Sequence, residues 1–108
     1  MRILAIDIGT TNVKGGVFDE GGRAVSMASV GVPMHFPAPG SAVQRLDELY
    51  GAVVRASRGA LRGARATEVD VVALSAQMHG LAAIDGGGRE LLPLVTYLDT
   101  RASAALPS

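Results

Sequence analysis

The chain opens on an unbroken, partly β-branched apolar run from Arg2 to Ile8, which stops at Gly9-Thr10-Thr11. Such a run reads as a strand buried on both faces and followed by a tight turn. Val13 to Phe18 repeats the pattern, Asp19-Glu20-Gly21-Gly22 supplies hairpin glycines, and Ala24 to Val30 alternates as a third strand. An antiparallel meander is therefore expected. Gly31 to Gly40 holds Pro33, Pro37 and Pro39, each without a backbone N–H, and reads as a surface loop.

Helix signals follow directly. Ser41 and Gln44 have the spacing of a capping box, and Val43, Leu46, Leu49, Tyr50, Val53, Val54, Ser57 and Leu61 recur along one helical face. Gly59 or Gly63 suits the C-terminal end. Val69 to Ser75, arriving after a crossover helix, predicts a strand parallel to the first. Leu81 to Ile84 and Leu91 to Tyr97 predict two more, joined through Asp85-Gly86-Gly87-Gly88. The expected architecture is α/β, with a mixed sheet and a crossover helix. The tail after Arg101 reads as a helix start cut short.

Composition narrows the classes. Ten basic and ten acidic residues cancel, and 48% of positions are hydrophobic, which suits a globular chain and gives no nucleic-acid footprint. Without cysteine there is neither a disulfide framework nor a thiolate metal site, as is ordinary for a cytoplasmic protein. Asp7 interrupts the opening apolar run before a signal-peptide core forms, and no segment has the length of a membrane span. At 108 residues the chain is one small domain or a piece of a larger one, short for a catalyst of two substrates.

Two places carry candidate chemistry. In Asp7-Ile8-Gly9-Thr10-Thr11-Asn12-Val13-Lys14, a turn of small hydroxyl and amide residues follows a carboxylate, and Lys14 is the sole lysine. Backbone N–H groups and hydroxyls of such a turn suit phosphate oxygens, Gly9 permits close approach, and Asp7 is placed to hold Mg2+ through water. A plain hairpin accounts for the same residues equally well. Farther on, a strand ending at Ser75 delivers Met78 and His79 to the carboxyl edge of the sheet, where open α/β folds bind ligands. His79 offers a hydrogen bond to a sugar hydroxyl and Met78 an adaptable apolar contact, although a histidine satisfied within its own turn is the simpler reading. Met34-His35, the same dipeptide in the proline-rich loop, is assigned no role. Asp99 and Arg101 suit either sugar hydroxyls or each other.

Residues 7–14, with Val-Phe-Asp-Glu-Gly-Gly at 17–22, resemble the phosphate-binding opening of the actin-like sugar kinases. Leu74 to Gly80, Asp85, Arg89 to Pro93 and Thr96 to Arg101 are similar, at matching spacings, to the sugar-binding stretch of xylulokinases and gluconate kinases in the FGGY family of carbohydrate kinases. The resemblance implies an actin-like ATPase (ribonuclease H-like) fold, with residues 1–108 as the N-terminal part of its first domain. It implies ATP and Mg2+ as cofactors, with Asp7 near the metal, Gly9, Thr10 and Thr11 at the terminal phosphates, Asn12 facing phosphate or solvent, and Lys14 as a charge partner. Gln77, Met78, His79 and Asp99 are implied at the sugar, and Arg101 more weakly.

The implied activity is cytoplasmic, ATP-dependent phosphorylation of a ketose such as xylulose; the alternatives are gluconate, or a non-catalytic sugar sensor on the same fold. Gln77 to Gly80 lean toward xylulokinases, and the Asp99-Thr100-Arg101 ending toward gluconate kinases. Met78-His79-Gly80 argues against a repressor-related glucokinase. The family's Pro-Gly-x-x-Glu-Gln-Asp-Pro pattern survives only as Pro39, Gly40 and Gln44 and is assigned no sugar contact. The implied general base, an aspartate, lies farther along the chain, so these residues alone are expected to transfer no phosphate. Sugar and ATP are the implied partners, with no nucleic acid or membrane, and a homodimer is left open.

Overall fold

The computed structural model describes residues 1–106; Pro107 and Ser108, the end of the predicted helix start, lie outside the described residues. The meander forms as expected, from β1 (Arg2–Ile8), β2 (Asn12–Asp19) and β3 (Ala24–Gly31). Its second turn is closed by Asp19, whose Oδ1 accepts the N–H groups of Gly21 and Arg23. After a short β4 (Val43–Gln44) and α1 (Leu46–Gly63), β5 (Val71–Ala76) returns parallel to β1, giving the order β3-β2-β1-β5. The expected mixed sheet is thus present.

The last two predicted strands do not join it. β6 (Leu81–Ile84) and β7 (Glu90–Val95) pair with β4 in a separate antiparallel sheet of order β4-β7-β6, and a 3-10 turn (Arg101–Ala105) follows. In the β6–β7 turn, Asp85 Oδ1 accepts from Gly87 and Arg89, with Gly88 at φ 81°.

The helix begins later than the capping-box spacing predicts. Ser41 Oγ is occupied at Ala38, donating to its carbonyl and accepting from its N–H, across a turn with Pro39 and the positive-φ Gly40 at its centre. Gln44 lies in β4. The first helical N–H, that of Leu46, donates instead to Glu90 Oε1 of β7 at 2.7 Å, a cap supplied from 44 residues away. At the other end the helix runs through Gly59 to Gly63, and Arg65, at φ 51°, takes the left-handed position. Ala66 N–H reaches Leu61 O and Arg65 N–H reaches Arg62 O, the paired closure of a Schellman motif.

The buried stripe of α1 includes Leu49, Val53 and Leu61 as predicted, but its centre lies elsewhere. Ala52, Ala56 and Ala60 are fully buried, Leu49, Val53 and Leu61 flank them, and Tyr50 is 71% exposed. The cause is closeness. A Cβ on Gly15 of β2 would lie 2.8 Å from the Ala56 carbonyl oxygen, and one on Gly59 would lie 3.0 Å from the Ala28 Cβ. Helix and sheet nearly touch by their backbones, so only small residues fit along the line of contact. Leu4, Ile6, Val13, Val17 and Val32 complete this core.

The opposite face of the meander is open, so β1 is buried on one face rather than two: Leu4 and Ile6 are covered, while Ile3 and Ala5 are only half-buried. All six residues of β5 are exposed. The radius of gyration is accordingly 16.4 Å, against about 13 Å for a closed domain of this length. No helix among the described residues is long and apolar enough to cross a membrane.

Gly15→Ala is expected to destabilise the fold by about 1–3 kcal/mol, because the added methyl meets backbone that cannot move aside. Gly86→Ala, at a position with no atom within 4 Å of the new Cβ, is expected to stay within about 0.5 kcal/mol. Urea denaturation of both variants checks the contrast.

Candidate functional site

β1 and β5 run parallel and in register, with Asp7 beside Ser75 and Ile8 beside Ala76. The segments that leave their carboxyl ends are therefore neighbours: the turn Gly9 to Asn12, and the loop Gln77 to Gly80. The Gln77 N–H continues the pairing by donating to Ile8 O at 2.8 Å. Both sequence-predicted clusters thus meet at one edge of the sheet.

The turn is tight enough to require its glycine. Gly9 N–H donates to Asn12 O at 3.0 Å, and a Cβ on Gly9 would lie 2.7 Å from that oxygen. Its carbonyls face inward. Thr10 O accepts from Gln44 Nε2 at 2.7 Å, Thr11 O from Val32 N at 2.9 Å, and Gly9 O lies 3.5 Å from Gln77 Nε2. The N–H groups of Thr10 and Thr11 have no acceptor among the described residues. Inward carbonyls and free outward amides form a cradle of the kind that takes an anion. The side chain of Asn12 is exposed beside them.

Asp7 and Lys14 are cross-strand partners on the face away from α1, both exposed and within no ion pair among the described residues. They border a shallow depression of about 310 Å3, also lined by Gly16, Phe18, Met27 and Ser75. No group of three or more His, Cys, Asp or Glu is assembled among the described residues. A single free carboxylate fits Mg2+, which retains several waters and takes its remaining oxygens from phosphate. A larger depression, of about 750 Å3, lies between α1 and the β6–β7 hairpin and contains none of the predicted site residues. Of its polar lining, Glu90 caps α1 and Arg45 pairs with Asp47.

In the neighbouring loop, Gln77 and Gly80 are the fixed ends. A Cβ on Gly80 would lie 2.8 Å from Leu94 Cδ1. Between them Met78 is 69% exposed and His79 is exposed at φ 60°. That left-handed conformation is uncommon for a side chain other than glycine and is a feature that clusters at binding sites.

Asp99 lies in the turn after β7 and is spoken for. Its side chain is 5% exposed, Oδ2 accepts from Ala42 N–H at 2.9 Å, and Arg101 donates to both oxygens. Hydrogen bonds from the Arg101 guanidinium, and then from the Ala42 N–H, hold its carboxyl down at about 2. Ala42 to Gln44 thereby touches both clusters, with Asp99 at one end and Thr10 and Gln77 at the other. His35, given no role from sequence, fastens the proline-rich loop through two backbone bonds to Val43 and a 2.7 Å contact to Glu48. Gln44 and Glu90 were missed as organising residues. The signal for Gln44 was a lone amide beside Ala42 and Val43, which the capping-box spacing absorbed.

Residues 2–107 match the N-terminal domain of the FGGY family of carbohydrate kinases. The gluconokinase of Bacillus subtilis strain 168 is 32% identical over 99 residues, covering 92% of this chain and 19% of that protein. Crystal structures of a gluconate kinase and a ligand-bound xylulose kinase from Lactobacillus acidophilus each superpose with a TM-score of 0.85 at 27% identity, over 96% of this chain and 21% of theirs. The chain spans about a fifth of the length of these proteins.

The Asp99 clasp sets a pH dependence. Its folded value lies below the ordinary carboxylate range, so its stabilisation is complete above pH about 4 and is lost as pH falls toward 2. A carbon-detected NMR titration is expected to find Asp99 half-protonated near pH 2, and Arg101→Gln to move that midpoint part of the way back up. An unmoved midpoint would remove Arg101 as the main cause.

Proposed function

The chain belongs to the FGGY family of carbohydrate kinases, and from that premise we propose that the protein containing it phosphorylates a sugar hydroxyl with ATP, most simply a ketose such as xylulose. Residues 1–108 are read as the N-terminal part of its first actin-like domain. The observation that carries this is the parallel pairing of β1 with β5, which sets the turn with the unbonded Thr10 and Thr11 amides beside a loop that presents an exposed histidine and methionine. Phosphoryl transfer depends on holding donor and acceptor in line while charge is neutralised, and two adjoining subsites at one sheet edge suit that requirement.

In this reading the Thr10 and Thr11 amides, with their hydroxyls, take oxygens of the terminal phosphates. Gly9 allows their approach, Asn12 borders them, and Lys14 adds positive charge. Asp7 holds Mg2+ through water, and the ion's role is to neutralise the phosphate oxygens. His79 hydrogen-bonds a sugar hydroxyl, Met78 packs on the carbon skeleton, and Gln77 and Asp99 border the pocket. The base that takes the hydroxyl proton is assigned to an aspartate outside these residues.

Gluconate is the second reading. It is favoured by Arg101, whose side chain is 45% exposed next to Asp99 and is a natural partner for a substrate carboxylate.

Calorimetric titration of the whole protein with xylulose and gluconate tests the assignment. His79→Ala is expected to weaken sugar binding about ten- to a hundred-fold, the loss of one hydrogen bond in a closed site, and to leave ATP affinity unchanged. His35→Ala, which keeps the two backbone bonds to Val43 and loses only the side-chain contact to Glu48, is expected to change neither. Asp7→Asn is expected to abolish most turnover while sugar affinity is retained. Weaker sugar binding in His35→Ala but not in His79→Ala would dismiss the pocket, and tight sugar binding without phosphoryl transfer would identify a sensor.

A further inference from the structure

Gln44 is a fully buried amide, shielded completely from solvent. An amide removed from water costs stability unless its groups are paired, and both ends of this one are. Its Nε2 donates to Thr10 O at 2.7 Å, and its Oε1 accepts from Gln77 Nε2 at 2.9 Å. The polarity of this chain is forced. A carbonyl only accepts, so Gln44 must offer Thr10 its nitrogen and Gln77 its oxygen, and Gln77 must then present nitrogen in turn. The same Gln77 nitrogen faces Gly9 O at 3.5 Å, and Gln77 Oε1 is left buried without a partner among the described residues.

The consequence comes from the planarity of the peptide group. Thr10 O and Thr11 N–H belong to one trans peptide and point in opposite directions, and so do Gly9 O and Thr10 N–H. Gripping the two carbonyls from inside therefore aims the two free amides outward. We infer that Gln44, braced by Gln77, is a positioning residue that orients the Thr10 and Thr11 N–H groups toward the phosphates of a bound nucleoside triphosphate. It touches no substrate itself. The inference rests on the reading of the turn as a phosphate cradle, and it adds the reason why the loop bearing His79 and the turn hold one register: a single side chain spans both.

The test is Gln44→Met in the whole protein, a change that keeps the length of the side chain and removes both hydrogen bonds. Calorimetry with ATP and with AMP separates aim from architecture, because AMP lacks the two outer phosphates. The expected result is an ATP affinity lowered about tenfold, the worth of one net hydrogen bond to a charged group, with AMP affinity unchanged and kcat reduced at a constant KM for sugar. Gln77→Met, read by nucleotide binding alone, is expected to lower ATP affinity and spare AMP in the same way, and the double variant to bind ATP no worse than Gln44→Met, since both break one chain. Equal losses for ATP and AMP, no loss for either, or additive losses in the double variant would overturn the inference. Should Gln44→Met fail to fold, Gln77→Met carries the same ATP and AMP comparison, and failure of both to fold would assign the pair to the core alone and overturn it. A wild-type protein that binds ATP but phosphorylates no sugar would sink the kinase reading while leaving this comparison readable.

Discussion

The close approach of α1 to β2 at Gly15 is the contact on which the rest of the chain depends. Where a helix lies this near a sheet, large side chains are excluded from the line of contact and only glycine and alanine remain. That sets the height and direction of α1, and with them the place of its first turn. Leu46 then meets Glu90, which draws β7 alongside β4 and builds the second sheet around the helix start. Dispersion attraction over such a tight seam substitutes for the bulky apolar stripe that helices of this length usually carry.

The second sheet is what gives the candidate site its inner wall. Because β4 is paired with β7 and bridged to His35, Gln44 arrives behind the phosphate turn and Ala42 arrives at Asp99. The site is thus supported from within by hydrogen bonds to the buried Gln44 and the largely buried Asp99, while the Thr10 and Thr11 amides are left without an acceptor among the described residues. A binding turn needs this division, since an amide already satisfied by its own chain has nothing to give a ligand.

The open face bearing Asp7, Lys14 and Ser75, and the exposed β5, stand in contrast to the closed seam on the other side. Val72 is 55% and Leu74 is 70% exposed on a strand whose outer edge has no partner strand among the described residues. Exposed apolar surface and a free strand edge of this kind are surfaces for further structure.

Local pattern alone determined the strands of the meander, the β6–β7 hairpin and the parallel return of β5, because each is written in short-range alternation, turn glycines and chain order; the segments at 7–14 and 77–79 stand out through their resemblance to a known family. The same local information failed where distant residues compete for one group. Ser41 and Gln44 have the spacing of a helix cap, yet Ser41 bonds Ala38, Gln44 bonds Thr10 and Gln77, and Glu90 caps the helix from the far side of the chain. The large residues of α1 carry the strongest periodic signal, yet alanines hold its centre, since how near two elements lie is decided by both surfaces together and Gly15 belongs to the other one. Asp99 and Arg101 read equally well as ligands or as a pair, and the Ala42 N–H, brought in by tertiary packing, tied the carboxylate into a clasp. What only the folded structure decided was therefore partnership: a hydrogen-bonding group chooses among all the groups that packing brings within reach, and sequence spacing reports only the nearest of them.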